Sequence, residues 1–448
     1  MFACFDFIAS SRSPRRANRF RSARPVALAA SLFLVAAVAH ASPGLTLAEA
    51  LALAESRSTQ LTGADYAAQA SREMAVAAAQ LPDPVATMGI SNLPINGQDA
   101  WSLTRDFMTM ASVGVMQEFT GRDKREARAD RYRREADKAV ADRAAGVASL
   151  QRDTAVAWLD RYYAEAMLAV VAEQGAQART EVEGAEGAYR AGRGNLADLL
   201  AARSALAMLD DRSSEIARKV RAARIALARW IGARADEPLA GRPAIDTLAI
   251  DVQALDTELL HHPELAVLTR QEDLAAADVR VAQANRDPDW SVALMYQQRG
   301  SAYSNMISLN VSVPLQWDRG NRQDRELAAK LALLDQARAE REDKVRMHAS
   351  EVRQMLAEWE SNRERQARYQ KELLPLATQR TEATLAAYRG AKSSLMDVLL
   401  ARRGEIDVRV ASLQLETDTA RLWAQLNFLY PGSHAAPRVA ATNAKDFP

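Results

Sequence analysis

The chain of 448 residues has a single cysteine, Cys4. It stands ahead of an apolar run, Val26 to Val38, so it does not read as a lipoprotein acylation site. Everything after that run lacks a thiol, which excludes a disulfide framework and any cysteine metal ligand. The run itself covers about 13 residues, too few to span a bilayer as a helix. A Gly-rich phosphate loop, an HExxH pair and a cysteine nucleophile are all missing, so no catalytic constellation points to an enzyme. No stretch holds enough alternating strand pattern to build separate α/β units. Proline is absent from Arg122 to Tyr189, about 68 residues.

What is present begins with an export signal. Arg12, Arg15, Arg16, Arg19, Arg21 and Arg24 precede the apolar run, and Ala39-His40-Ala41 follows with the small-x-small form of a signal peptidase site. Residues 1–41 therefore read as a signal peptide, with a retained N-terminal anchor as the alternative. Six of the 58 basic residues and one of the 57 acidic residues lie in that segment. Cleavage thus moves the net charge from +1 to about −4, which argues against a nucleic-acid partner. Alanine, arginine, glutamate and leucine dominate the remainder, the composition of long helices.

The same unit is written twice. "AYRAGRGNLADLLAAR" (Ala188 to Arg203) and "AYRGAKSSLMDVLLAR" (Ala387 to Arg402) align without a gap at an offset of 199 residues. "AAAQLPDPVATMGIS" from Ala77 resembles "VRVAQANRDPDWSVALMY" from Val279, and "MASVGVMQEFTGRDKREA" from Met110 parallels "MISLNVSVPLQWDRGNRQDREL" from Met306. Three matches in one order indicate duplication. Each half reads as helix, Asp-Pro break, strand pair, very long helix, short turn and returning helix.

The strand pairs alternate with period two. Between Phe107 and Phe119 the odd positions are apolar apart from Thr109 and Gln117. The even ones are Met108, Met110, Ser112, Gly114, Met116 and Glu118. From Asn305 to Leu315, Ile307, Leu309, Val311, Val313 and Leu315 take one face, and Ser308, Asn310 and Ser312 the other. Trp290, Val292, Leu294 and Tyr296 alternate in the same way. Segments of about ten residues, apolar outside and polar inside, fit a transmembrane barrel; a single such segment would fit a half-buried soluble hairpin as well. Four strands cannot close a barrel, and an open edge in lipid leaves backbone groups unsatisfied. Several chains must then share one barrel.

The helical segments are expected from Thr46 to Gln80, Arg122 to Tyr189, Asn195 to Trp230, Pro263 to Arg286, Arg322 to Tyr388 (interrupted at Pro375) and Ser394 to Leu429. The first long one would reach about 100 Å at 1.5 Å per residue. Antiparallel helices of this length must pack laterally as coiled coils.

With its duplicated "Y-R-x-G/A…L-x-D-[LV]-L" turns and duplicated strand pairs, the chain resembles the TolC family of outer membrane factors. "EFTGRDKREAR" and "VPLQWDRGNRQ" resemble its heavy-metal, CusC- and CzcC-like branch. The resemblance implies an α+β membrane protein of TolC-like fold. Three chains would share a 12-stranded outer-membrane β-barrel, continued by a long α-helical coiled-coil barrel in the periplasm. On that template residues 42–240 form the first outer membrane efflux repeat, with strands at about 85–119 and a tip at about 189–198. Residues 241–430 form the second, with strands at about 289–317 and a tip at about 388–397. A tail follows at 431–448. The implied role is the exit duct of a tripartite RND efflux system, partnered by a periplasmic adaptor (membrane fusion protein), an inner-membrane pump and outer-membrane lipid. No cofactor is implied. Duplication would let a trimer present six nearly equivalent tips to the adaptor.

The resemblance places gate and adaptor-contact residues at the two tips: Tyr189, Arg190, Gly192, Leu196, Asp198 and Leu199 in the first, Tyr388, Arg389, Gly390, Leu395, Asp397 and Val398 in the second. Asn195 and Ser394 suit N-caps with an aspartate three residues on, so Asp198 and Asp397 can also be read as capping groups. The family often has arginine where this chain has Ser393. Gly192, Gly194 and Gly390 are expected to permit the turns. Met108, Met110 and Met116 would share the lumen face. Thioethers suit soft ions, although methionine also simply fills space. His261 and His262 read either as metal ligands or as the start of the helix at Pro263. Organic drugs or a secreted polypeptide are alternative cargoes, and a soluble coiled-coil scaffold is the alternative of another class.

Overall fold

The computed structural model describes residues 44–249 and 262–429. The signal-peptide segment with Cys4, His261 and the tail at 431–448 lie outside the described residues. Helix α1 (Leu47–Arg57) starts at a complete capping box, in which Thr46 Oγ1 accepts from Glu49 N and Glu49 Oε2 accepts from Thr46 N. Ser58 then leaves helical geometry (φ −71°, ψ 107°) and its hydroxyl accepts from Leu61 N to open α2 (Thr59–Ala78). The single helix expected from Thr46 to Gln80 is thus two, because the serine side chain offers the backbone an alternative to the helical ladder.

Strands β1 (Val85–Ser91), β2 (Met110–Phe119), β3 (Trp290–Gln298) and β4 (Met306–Ser312) form one antiparallel sheet in the order β1-β2-β3-β4. Two expected strands are shorter than the alternation suggested. β2 starts at Met110 because the Asp106 carboxylate accepts from Met108 N (2.6 Å) and Thr109 N (3.2 Å), holding residues 106–109 in a turn. β4 stops at Ser312 ahead of Pro314, which has no N–H to give a ladder.

Helix α3 (Arg122–Arg190) runs 69 residues without interruption and α4 (Leu196–Ile231) turns back along it. Alanine supplies many of the buried positions of α3, among them Ala129, Ala136, Ala148, Ala155 and Ala178, so neighbouring backbones can approach closely. Helices α2, α4, α5 (Pro263–Ala284) and the last helix all pack along it. The second long segment is α6 (Gln323–Arg368), a single π-helical stretch (Tyr369–Leu373) and α7 (Leu374–Arg389). The π turn falls just ahead of Pro375, whose ring and missing N–H would break a regular α ladder there. Helix α8 (Leu395–Asn427) returns along α7 and α6.

The main apolar cluster joins Leu45, Trp158, Leu159, Leu227, Ile231, Val352, Trp423, Leu426 and Phe428. Polar anchors fix it. Trp158 Nε1 donates to Leu45 O, and Leu45 pairs with Leu239 in a short parallel bridge. The buried Arg161 guanidinium donates to Ala235 O (2.6 Å) and Glu237 O (2.8 Å) while pairing with Glu165 (2.8 Å). That arginine holds the end of the 3-10 turn Gly232–Asp236 against α3.

Candidate functional site

Register decides which strand side chains share a face. The rows Val113–Tyr296–Ile307, Val115–Leu294–Leu309 and Gln117–Val292–Val311 lie on one side. Met88, opposite Val113, and Ile90 join them from β1. Their large apolar members are exposed, Met88 to 82% and Leu309 to 68%. The rows Ser112–Gln297–Met306, Gly114–Met295–Ser308, Met116–Ala293–Asn310 and Glu118–Ser291–Ser312 make the other, mostly polar side. At the helix end of the apolar face Phe119 stacks on Trp290, with ring centroids 4.5 Å apart. Tyr296 marks the far end, six residues or about 20 Å away at about 3.3 Å per residue. Neither β1 nor β4 has a second strand partner among the described residues.

The three-methionine stripe expected on β2 is reduced to two. Met108 lies in the Asp106 turn, where its carbonyl accepts from Asn92 Nδ2, whereas Met110 and Met116 remain on the polar face. Register adds Met295 and Met306 to that face, from strands whose methionines the sequence pattern did not single out. Gly114 makes room for Met295: a Cβ there would lie 2.7 Å from Met295 Cγ and 2.7 Å from Leu294 O.

The two tips share one backbone design. Arg193 N donates to Ala188 O and Gly192 N to Tyr189 O; Lys392 N donates to Ala387 O and Ala391 N to Tyr388 O. Each is a Schellman cap with its left-handed residue directly after the run AYR-x. That residue is Gly192 (φ 70°) in the first tip but Ala391 (φ 58°) in the second. Gly390, expected to supply the turn, instead sits at φ −85°. Gly194 is needed for space, since a Cβ would lie 3.1 Å from Tyr189 N.

The side chains of the tips then diverge. Ser394 and Asp397 form a complete capping box, and Asp397 Oδ2 accepts from Ser394 N (3.0 Å), Ser394 Oγ (2.7 Å) and Ser393 Oγ (3.0 Å). Those hydrogen bonds, led by the Ser394 hydroxyl, hold the Asp397 carboxyl below its ordinary range. Asn195 Oδ1 accepts from Asp198 N (2.7 Å), but nothing among the described residues returns a bond to the Asp198 carboxylate, so that tip has only half the box. Leu395 is 5% exposed and shares a cluster with Ala185, Leu199, Ala202 and Tyr388, whereas the aligned Leu196 is 51% exposed. Arg402 binds Glu181 at 2.6 Å and reaches Gln177 and Gln174, its side chain 12% exposed; the aligned Arg203 is 54% exposed. Val398 is fully buried, while Tyr189, Arg190 and Arg389 face outward. The Arg402–Glu181 bond escaped the sequence reading, because nothing in either segment says that α8 lies against α3.

A further cluster lies away from both tips. His262 is the N-cap of α5, its Nδ1 accepting from Glu264 N at 3.3 Å. His348 on α6 lies against it, with ring centroids 4.2 Å apart and planes tilted by 42°. Burial pushes His262 down to about 3, assisted by the His348 and Arg152 charges, and burial also lowers His348. The sequence reading singled out His262 but not His348, which comes from a segment some 86 residues further on.

Residues 254–430 match the family model described as "Outer membrane efflux protein". No curated protein sequence matches the chain. Among solved structures, the outer-membrane channel OprN is similar at 19% identity and a TM-score of 0.72, covering 86% of this chain and 90% of that one. CusC is similar at 16% identity and 0.72, covering 85% and 92%. The open state of the Neisseria gonorrhoeae MtrE outer membrane channel is similar at 18% identity and 0.68, covering 87% and 90%. The chain therefore has the fold of these outer-membrane channels across nearly its whole described length.

Proposed function

We propose that the chain is the outer-membrane exit duct of a tripartite RND-type efflux system. It works as a homotrimer, each chain giving four strands to a shared 12-stranded barrel in the outer membrane of a Gram-negative cell. The helices continue that barrel into the periplasm, with residues 42–240 and 241–430 as two repeats of one unit. The duct catalyses no reaction; the energy comes from the inner-membrane pump. Both tips line the periplasmic entrance and meet the adaptor, through Tyr189, Arg190, Gly192, Leu196, Asp198 and Leu199 and through Tyr388, Arg389, Gly390, Leu395, Asp397 and Val398. Metal cations (copper and silver, or cobalt, zinc and cadmium) are the proposed cargo, supported by the branch-like "EFTGRDKREAR" and "VPLQWDRGNRQ" segments. A wide duct need not recognise what it passes, so organic drugs and a secreted polypeptide stay as rival cargoes.

One observation carries the reading: a four-stranded sheet with an exposed apolar face and two open edges. Water penalises the apolar face, and lipid penalises the open edges. Closing the sheet with other copies inside a membrane removes both costs. Its apolar band of about 20 Å with aromatic ends fits the roughly 25 Å band of such barrels. No described helix is long and apolar enough to cross a membrane, so within the described residues the strands are the candidates for crossing. A soluble scaffold has no use for this face. The expected result is recovery in outer membranes and a trimer mass in mild detergent by light scattering. A monomer in the soluble periplasmic fraction would overturn the proposal. For cargo, a deletion strain should become sensitive to copper, silver, cobalt, zinc or cadmium; sensitivity to organic drugs alone would reassign it.

A further inference from the structure

The helical region holds a group of donors that neither the duct nor its tips use. One nitrogen of His262, one of His348 and a carboxylate oxygen of Glu264 all lie within 4.8 Å of one another. Both histidines are more than nine-tenths buried, and His348 Nε2 is buried without a hydrogen-bond partner. An orphaned imidazole nitrogen is costly in a native interior. A metal ion would satisfy it, and the neutral imidazole that burial favours is the form that binds metals.

We propose that His262, Glu264 and His348 form a binding site for a divalent transition-metal ion of the zinc or copper(II) class. Two imidazoles and one carboxylate suit such ions and not magnesium or calcium, which take oxygen donors. A tetrahedral zinc with bonds of about 2.0–2.2 Å sets its donors about 3.4 Å apart. The three donors need draw in by only about an ångström, within the reach of side-chain rotation. Glu351, whose carboxylate is 3.8 Å from His348 Nδ1, stands where an outer partner of a ligating histidine belongs.

The placement gives the ion a structural consequence. His262 caps α5. His348 sits well inside α6, which packs along α5. An ion bridging them pins the start of α5 to its neighbour. This consequence is independent of what the duct carries.

The test titrates zinc chloride into the metal-stripped, detergent-solubilised full-length protein by calorimetry, with magnesium chloride as control. One zinc per chain at micromolar Kd or tighter is expected, with no magnesium binding and a rise in Tm on zinc addition. His262→Asn keeps a good cap residue while deleting the imidazole, and His348→Gln keeps a buried polar side chain. Each should weaken zinc binding at least tenfold while leaving the metal-free Tm within a few degrees. X-ray absorption on the zinc-loaded protein should show two imidazole ligands. Substoichiometric binding, equal affinity in the variants, or a zinc shell without imidazole would overturn the proposal.

Discussion

Arginine placed at successive depths of β4 tests the barrel and its facing in one experiment. Leu309 lies in the row of Val115 and Leu294, two residues from the Tyr296 level and four from the Trp290 level, and its side chain is exposed. Val311 lies one step nearer the helix end, and Asn310 points to the polar side. An arginine on the lipid face costs about 2–4 kcal/mol at the midplane of a membrane barrel, falling to about 0–1 kcal/mol near its interfaces. Three chains triple that figure, so Leu309→Arg should cost about 6–12 kcal/mol per trimer. At about 1.4 kcal/mol per decade this is at least four orders of magnitude in the assembly constant. Val311→Arg should cost about as much as Leu309→Arg, since its row lies two residues from the Trp290 level as that of Leu309 lies two from the Tyr296 level. Asn310→Arg enters a polar lumen and should assemble nearly as wild type. The assay is the yield of heat-sensitive trimer in the outer-membrane fraction at matched expression. Equal losses for Leu309→Arg and Asn310→Arg would refute the facing. Full assembly of Leu309→Arg would refute the barrel itself.

At the tips, Asp198→Asn should weaken cation preference in a planar bilayer, most clearly at low salt, without changing amide exchange at the start of α4. Asp397→Ala, by contrast, should speed amide exchange over the first turn of α8, because three hydrogen bonds end on that carboxylate; unchanged exchange would remove its capping role. Gly192→Ala puts a Cβ at φ 70° and should destabilise the first tip by about 1 kcal/mol, while Ala391→Gly relieves the same strain in the second. Opposite-signed changes in local exchange are the expected readout, and matching signs would contradict the assignment. The chain has no cysteine after Cys4, and Thr384 aligns at the 199-residue offset with Ala185, which packs on Leu395, so a Leu196→Cys, Thr384→Cys double variant starts from a clean background. Oxidation should link one chain to the next, and a product confined to single chains would count against the ring.

Legibility in the sequence followed the range of the interactions. The 69-residue α3 could be read because nothing in it breaks a helix, and the strand faces because a period of two is local. Pro375 announced its interruption, whereas the alternation was read through Pro314 to Leu315 and the strand stops at Ser312. What stayed hidden depended on contacts between distant segments. His348 meets His262 only because α6 lies beside α5. Arg402 meets Glu181 only because α8 lies beside α3. Ser58 was missed for another reason: its hydroxyl caps α2 inside a stretch whose composition is helical throughout. The turn residue at the second tip was misplaced because glycine is the default for positive φ, and the duplicated unit keeps the geometry with alanine.

The unequal tips carry their own argument about assembly. Leu196, Tyr189 and Arg203 align with Leu395, Tyr388 and Arg402, yet the first three are exposed and the second three are packed or paired. Sequence similarity predicts similar surroundings, so the difference must come from what each hairpin has beside it. The second hairpin has the first: α8 lies against α3, which supplies Glu181 and the Ala185 surface. Among the described residues the first hairpin has no equivalent neighbour over Leu196, which is 51% exposed. A ring supplies one, since the second hairpin of the next chain would stand beside Leu196 as the first stands beside Leu395. Burying three more leucines of this kind at about 25 cal/mol per Å² favours closure. In the proposed trimer, closure would make six tip environments alike in packing but not in capping, with Asp397 engaged in a complete capping box and Asp198 in half of one.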